Sequence, residues 1–325
     1  MIRYIADRVL QGIVVVAVMS LVIYSLIGLM PGDPVELMIA ANPRIDAEDA
    51  ARLRRVYGLD RPLLERYAAW ASAAIQGDFG YSRGFSRPVL DVIGPRLANT
   101  AALMSGAFVL ALAIGLPAGI FAAARPGSVP DTLINLASFL TISMPTFWLA
   151  LMMIIVFAVL LGWLPASGLP TGPAGFWEHV RHLILPVVTL AIVEAGAYAR
   201  YMRAAMIEAL RNDFVRTARA KGASWTRTLL GHALRNAMIP VVTIMALSFG
   251  GLFSGALITE TMFAYPGMGK LIFDAVMGND FNLALVTLLF ATALTLLGNL
   301  LADLAYVALD PRISLGAGAE RGPAR

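Results

Sequence analysis

Six long apolar runs decide most of what this chain can become. They lie at about residues 9–30, 99–124, 132–161, 183–202, 237–258 and 283–308. Each reaches the roughly 20 residues that a helix needs to cross a hydrocarbon core of about 30 Å. No water is present there to satisfy a free backbone N–H or C=O, so an open-ended run crosses as an α-helix. Composition agrees: 58% of the 325 residues are hydrophobic and 14% charged, where a soluble domain is nearer half apolar and a quarter charged. The absence of cysteine excludes a disulfide framework and a Cys-based metal site. Nucleic-acid binding fits poorly, because the basic residues are interleaved with the apolar runs and not gathered on one soluble face.

The first run follows Arg3 and Arg8, as the core of a signal peptide would. It is longer than the roughly 7–15 residues of such a core, and it ends in Met30-Pro31-Gly32-Asp33-Pro34 without a small-x-small cleavage site. It reads as a retained helix. The third run is long and contains Pro145, which predicts a kink, a tilt or an interfacial tail. Six spans put both termini on one side, and the short loops say which. With the termini inside, the inner segments hold Arg3, Arg8, Arg125, Arg312, Arg321 and Arg325 and the dense set Arg200, Arg203, Arg211, Arg216, Arg219, Lys221, Arg227 and Arg235. The short outer loops keep Arg181 and Lys270, with Trp163 and Trp177 at the outer boundary. Arginines between residues 44 and 96 sit in a long loop, where the positive-inside rule is weak.

Two hydrophilic segments remain. In the outer one, 31–97, Asp46 is placed to cap a helix from Ala47 to about Tyr57 that stops at Gly58. A second helix from Pro62 to about Gly77 carries Leu63, Tyr67 and Trp70 along one face. This is a small folded cap. The inner segment, about 203–235, is too long and patterned for a simple connection. Its run Asp213-Phe214-Val215-Arg216-Thr217-Ala218-Arg219-Ala220-Lys221-Gly222 predicts a short helix and a break at Gly222. A new start at Ser224 leads through Trp225, Leu229 and Leu230, expected to form an apolar face, and His232-Ala233-Leu234-Arg235-Asn236-Ala237-Met238-Ile239-Pro240 into the fifth span. Ala218, Ala220 and Gly222 leave a bare patch ringed by charge, suited to docking in another protein's groove. Taken alone, the segment reads equally as a basic loop that holds orientation.

The flanking motifs decide between these readings. The elbow resembles the "EAA" coupling loop of bacterial ABC-importer permeases, in the form used by the dipeptide/oligopeptide group: Thr217-Ala218-x-Ala220-Lys221-Gly222, then His232-x-Leu234-Arg235-Asn236-Ala237, then Pro240. Pro31-Gly32-Asp33-Pro34, Gly58-Leu59-Asp60-Arg61-Pro62, Gly77-Asp78-Phe79-Gly80, Arg87-Pro88-Val89 and Gly162-Trp163-Leu164-Pro165 resemble the same group. So do Glu260-Thr261-Met262-Phe263, Pro266-Gly267-Met268-Gly269 and Asp310-Pro311-Arg312-Ile313. The wider superfamily's Glu-Ala pair is Arg216-Thr217 here, so a salt bridge from that glutamate is not carried over.

The resemblance implies an all-α membrane protein of the type I ABC-importer permease fold. Residues 1–30 would hold the first span, 31–97 an external helical cap, 98–310 the remaining spans with the coupling loop at 203–237, and 311–325 an inner tail. It implies a bacterial inner-membrane subunit without catalysis of its own, importing peptides or similar small solutes. It further implies a second permease subunit, two cytoplasmic ATPases that bind ATP and Mg, and an external solute-binding protein on which selection largely rests. Thr217, Ala218, Ala220, Lys221, Gly222, His232, Leu234, Arg235, Asn236 and Pro240 would meet the ATPase.

Other residues carry competing readings. Glu194 lies mid-span, where a carboxylate costs about 2.5–3.5 kcal/mol, so it faces the bundle interior or water. It suits a contact with solute or an ion, or a bond to a hydroxyl on a neighbouring helix. A lone ion-coupled transporter built on Glu194 is the rival function, but such folds show repeats and broken helices in pairs, and no repeat is evident. A membrane-embedded hydrolase would need paired carboxylates or a metal cluster, and Glu194 stands apart from Asp303 in sequence. Glu260 opens the outer loop and suits either gating or plain solvation; Phe263, Pro266, Gly267 and Gly269 follow it as a flexible, close-packing turn that suits a gate. Glu178, His179 and His182 offer two histidines at i and i+3, a spacing that serves a metal or, more simply, an interfacial helix. A phosphate loop ending at Lys270 fails for want of glycine at Ala264 and Ser or Thr at Leu271.

Overall fold

The computed structural model describes residues 2–29, 47–56, 60–170 and 172–309. Pro31-Gly32-Asp33-Pro34, the Asp46 cap, Gly58-Leu59, Asp310-Pro311-Arg312-Ile313 and the 311–325 tail lie outside the described residues. The described chain is helical apart from a short hairpin and the loops that join the elements. In order it runs α1 Ile2–Gly28, α2 Ala47–Val56, α3 Leu63–Ile75, β1 Tyr81–Ser82, β2 Arg87–Pro88, α4 Val89–Ala124, α5 Val129–Ser143, α6 Thr146–Met153, α7 Phe176–Arg211, α8 Asp213–Ala220, α9 Trp225–Arg227, α10 Leu234–Met262, α11 Met268–Met277 and α12 Phe281–Leu309.

Among the described residues, five helical runs are long and apolar enough to cross a membrane: Ile5–Gly28, Val89–Ala124, Phe176–Arg211, Trp225–Met245 and Phe281–Leu300. A pair, α5 and the helix Thr146–Leu160, is apolar enough when taken together but bent by 102°, the form of a broken span or a re-entrant loop. Pro145 is the cause. It has no N–H to donate and pushes the residue before it out of the helical region, and Met144 stands extended at φ −81°, ψ 126°. Beyond α6 the helix widens to a π-helix over Ile154–Leu160.

The chain forms two compact units. The first holds Thr100–Pro266 with the chain ends Met1–Ile5 and Thr295–Arg325. Its core runs along α4, α7 and α10, with Leu103, Ala107, Ala111, Ala191, Tyr198, Met202, Met206, Ala237 and Val241 all buried. Small residues set the spacing. A Cβ on Gly119 of α4 would stand 2.5 Å from the Ala199 carbonyl and 2.7 Å from Met202 Cβ, and one on Gly115 would stand 2.7 Å from the Ala195 carbonyl. Glycines four apart therefore let two membrane helices touch backbone to backbone. Gly196 gives α7 the same closeness to Ser138 and Thr141 of α5.

The second unit holds Ala6–Asn99 and Gly267–Leu294. Tyr67 and Trp70 of α3 pack on Tyr24 of α1 with ring centroids 5.6 and 5.9 Å away, and Ser20 Oγ lies 2.7 Å from Tyr67 Oη. The hairpin, which the sequence reading did not anticipate, pairs Tyr81 with Pro88 and Ser82 with Arg87. Asp280 holds it: its carboxylate accepts from Ser82 Oγ at 2.5 Å, Gly84 N at 2.8 Å and Leu283 N at 3.3 Å, the last capping α12. Its isolated position before an apolar run, Asn279-Asp280-Phe281, was the available sequence signal.

Candidate functional site

The elbow forms because its sequence stops and restarts a helix within a few residues. α7 ends at Arg211, and Asn212 alone, at φ −76°, ψ 152°, turns the chain into α8. α8 shows one apolar side chain to the bundle: Val215 is 3% exposed and packs with Met202, Met206, Ala209, Ala123, Ala233, Ala237 and Val241. The remaining residues of α8 face outward or are half-buried. The helix closes on a Schellman motif, in which Ala223 N donates to the Ala218 carbonyl at 3.1 Å and Gly222 N to the Arg219 carbonyl at 2.9 Å. That motif needs a left-handed residue, and Gly222 supplies it at φ +84°. Ser224 then caps α9, its Oγ accepting from Arg227 N at 3.4 Å. A π-turn over Thr228–Ala233 delivers the chain into α10.

Gly222, expected to be small so that a partner can come close, has a further reason within this chain: a Cβ there meets nothing within 4 Å, but its left-handed backbone angle favours glycine. The expected apolar face of Trp225, Leu229 and Leu230 is divided. Leu229 turns in toward the Val215 cluster, whereas Trp225 and Leu230 are exposed, as is Phe214. Arg219 stacks on Trp225 with its guanidinium carbon 5.4 Å from the ring centroid, a contact that bridges the break at Gly222.

The elbow residues form one outward surface with an inner lining. Thr217, Ala220, Lys221, Gly222, His232, Arg235, Asn236 and Pro240 are exposed, while Ala218 and Leu234 are half-buried. Thr217 Oγ1 donates to the Asp213 carbonyl at 3.0 Å and Asn236 Nδ2 to the His232 carbonyl at 2.9 Å. Arg216, in the position of the superfamily's glutamate, meets Asp213 at 3.2 Å in open solvent, where an ion pair contributes little.

An ion pair beside the elbow, buried on its carboxylate side and half-buried on the other, carries no signal of partnership in the sequence. Arg203 of α7, counted there only as an orientation charge, grips Asp131 of α5 with both arms of a fork: Nε to Oδ1 at 2.5 Å and Nη2 to Oδ2 at 2.7 Å. Asp131 also accepts from Gly127 N at 2.8 Å and Asn135 Nδ2 at 2.7 Å, and its side chain is 4% exposed. The signal for Asp131 alone was Ser128-Val129-Pro130-Asp131, a helix-start pattern just ahead of an apolar run.

The residues proposed for a solute path fall in separate places. Glu194 is half-buried on α7, one turn before the buried Tyr198 of the same helix. Glu260 is not solvated at a helix end: α10 continues to Met262 and Glu260 is fully buried, accepting from Thr100 Oγ1 at 2.5 Å. Phe263 is buried too, its carbonyl accepting from Gly168 N at 2.8 Å. Burial pushes the Tyr265 phenol up to about 12, with the Glu260 carboxylate adding to the shift. Pro266 is half-buried, and Gly267 and Gly269 are buried. The flexible glycine turn is not there: Gly267 is extended at φ −103°, Gly269 lies in α11, and the left-handed residue is Ala264 at φ 47°. Replacing Thr100 by Val removes a donor from a buried carboxylate, which costs about 1–3 kcal/mol. A lower unfolding temperature in detergent for Thr100→Val, with Thr100→Ser restored, is the expected result.

His179 and His182 turn Nδ1 to the carbonyls of Gly175 and Glu178, one turn back, at 3.1 and 2.8 Å. Among the described residues no group of three or more His, Cys, Asp or Glu is placed to hold a metal. Lys270 lies in α11 and bonds Asp274 at 2.7 and 2.8 Å.

Comparison with known proteins gives these elements a context. Residues 115–315 match the family model described as binding-protein-dependent transport system inner membrane component, and residues 1–104 match the model of that component's N-terminal part. A putative peptide permease protein of Brucella ovis is 39% identical over 97% of this chain and 100% of its own length. The oligopeptide transport system permease protein AppB of Bacillus subtilis is 37% identical over 96% and 99%. The glutathione transport system permease protein GsiC of Escherichia coli K12 is 39% identical over 96% and 99%. Among solved structures, a chain of the MetNI methionine ABC transporter in inward-facing conformations matches with a TM-score of 0.53 at 19% identity, over 65% of this chain and 93% of that one. At that identity the likeness is one of fold.

Proposed function

Because this chain belongs to the binding-protein-dependent transport system inner membrane components, the permease subunits of ABC importers, we propose that it carries peptides or similar small solutes inward and takes its power at the elbow. The relatives in Brucella, Bacillus and Escherichia, named for peptides, oligopeptides and glutathione, support that cargo class. A second permease completes the pathway, an external binding protein delivers solute, and two ATPases holding ATP and Mg seat against the elbows. Both termini and the elbow face the cytoplasm, in keeping with the arginine-rich inner segments.

The observation that carries this reading is the elbow itself. It presents exposed Phe214, Trp225 and Leu230 among basic side chains, yet it is anchored in the bundle by Val215. A surface both accessible and rigidly rooted transmits a partner's push; a floppy basic loop does not. Closure of the ATPases would draw the elbows together and switch the cavity from inward-facing to outward-facing. Glu194, Glu260 and Phe263 then belong to the solute path or its gate, with the Thr100 bond holding Glu260.

Vesicles carrying the whole assembly test this. Uptake of labelled glutathione or oligopeptide is expected only with ATP on the elbow side and with the binding protein outside. Uptake that persists without ATP on an ion gradient would point instead to a lone transporter using Glu194.

A further inference from the structure

From the Asp131–Arg203 pair we infer a positioning role: it is the strut that carries movement of the elbow into α5 and so to the 102° break at Pro145. The inference rests on the reading that ATPases act at the elbow. α8 is rooted through Val215 among Met202, Met206 and Ala209, the same stretch of α7 that bears Arg203. Movement of α8 therefore moves this end of α7. α5 and α7 pack along one another. Within that contact Gly196 meets Ser138 and Thr141, close-packed small groups that resist approach but give little purchase against sliding. The ion pair, at the first turn of α5 and nearer the elbow, adds a directional, two-pronged fastening between the same helices.

The geometry suits a strut. Two parallel charge-assisted bonds fix orientation as well as distance. Gly127 N and Asn135 Nδ2 hold the Asp131 carboxylate from behind, so a pull on Arg203 is borne by the whole start of α5 and its preceding turn. Stability alone is a poor reason for such a pair, since well-packed apolar residues often serve as well or better. What a hydrophobic contact lacks is a fixed register under load.

The chain has no cysteine, so single reporters can be placed cleanly. A fluorescent label on Thr226→Cys reports the elbow and one on Leu133→Cys reports α5; both positions are exposed. In the assembled transporter, with reactive cysteines removed from the other chains, ATP plus vanadate is expected to change both signals. In Asp131→Asn the elbow signal should persist and the α5 response should fall about ten-fold, within the range over which single residues alter coupling between sites. Arg203→Lys keeps the charge but gives up the second parallel bond, and should lie between. If Asp131→Asn does not assemble, Arg203→Lys carries the same comparison. An α5 response that follows the elbow undiminished in these variants overturns the strut, as does a parallel loss of both signals. A silent elbow in the unsubstituted protein sinks the reading on which the strut rests.

Discussion

Gly222→Asp is expected to lower ATP-driven uptake by at least about ten-fold, equivalent to roughly 1.4 kcal/mol of transition-state free energy, while the protein still inserts and assembles its membrane helices. Two effects add. Gly222 sits at φ +84°, where an ordinary side chain costs roughly 1–2 kcal/mol, and α8 ends on that angle. A carboxylate would also stand on the exposed surface offered to the ATPase. Gly222→Asn separates the two, because Asn tolerates the left-handed region and carries no charge. Near-normal uptake in Asn with loss in Asp assigns the effect to charge at the contact. Equal loss in both assigns it to bulk on that surface, since a Cβ there meets nothing else in this chain within 4 Å. Full uptake by Gly222→Asp at normal expression would remove the elbow from the mechanism.

The second large effect is on folding. Gly119→Val drives a branched side chain into the Ala199 carbonyl and the Met202 Cβ, and neither can turn aside because both are backbone-fixed. Overpacking of this kind costs about 1–3 kcal/mol or more, and here α4 and α7 must part. We expect a sharply lowered unfolding temperature in detergent and little monodisperse protein. Gly94→Ala in the same helix is the control, because a Cβ there meets nothing within 4 Å; it should be neutral or raise stability by about 0.5–1 kcal/mol. Equal behaviour of the two variants would show that the α4–α7 contact does not depend on close backbone approach.

Much of the fold was legible. The apolar runs located the spans, Pro145 announced a break, and Gly222 with Ser224 marked the end of one helix and the start of another, because these signals are local. Their boundaries were less so: the second run was placed from residue 99, whereas α4 begins at Val89, and the fourth from 183 to 202, whereas α7 covers Phe176–Arg211. Polar helix ends carry no hydropathy signal. The elbow residues were found by motif, but which of them face out was not. Leu229 and Leu230 are neighbours of like chemistry, and only packing against Val215 tells them apart.

Sequence by itself determined that this chain lies in a membrane as a set of helices with a patterned basic elbow. Hydropathy and turn chemistry are written residue by residue and need no partner to be read. Tertiary structure alone decided which polar groups meet. Asp131 and Arg203 are 72 residues apart and Thr100 and Glu260 are 160 apart, so each looked like a lone charge or a surface group until packing set its partner beside it. Burial makes such pairs matter, and burial is a property of the assembled bundle.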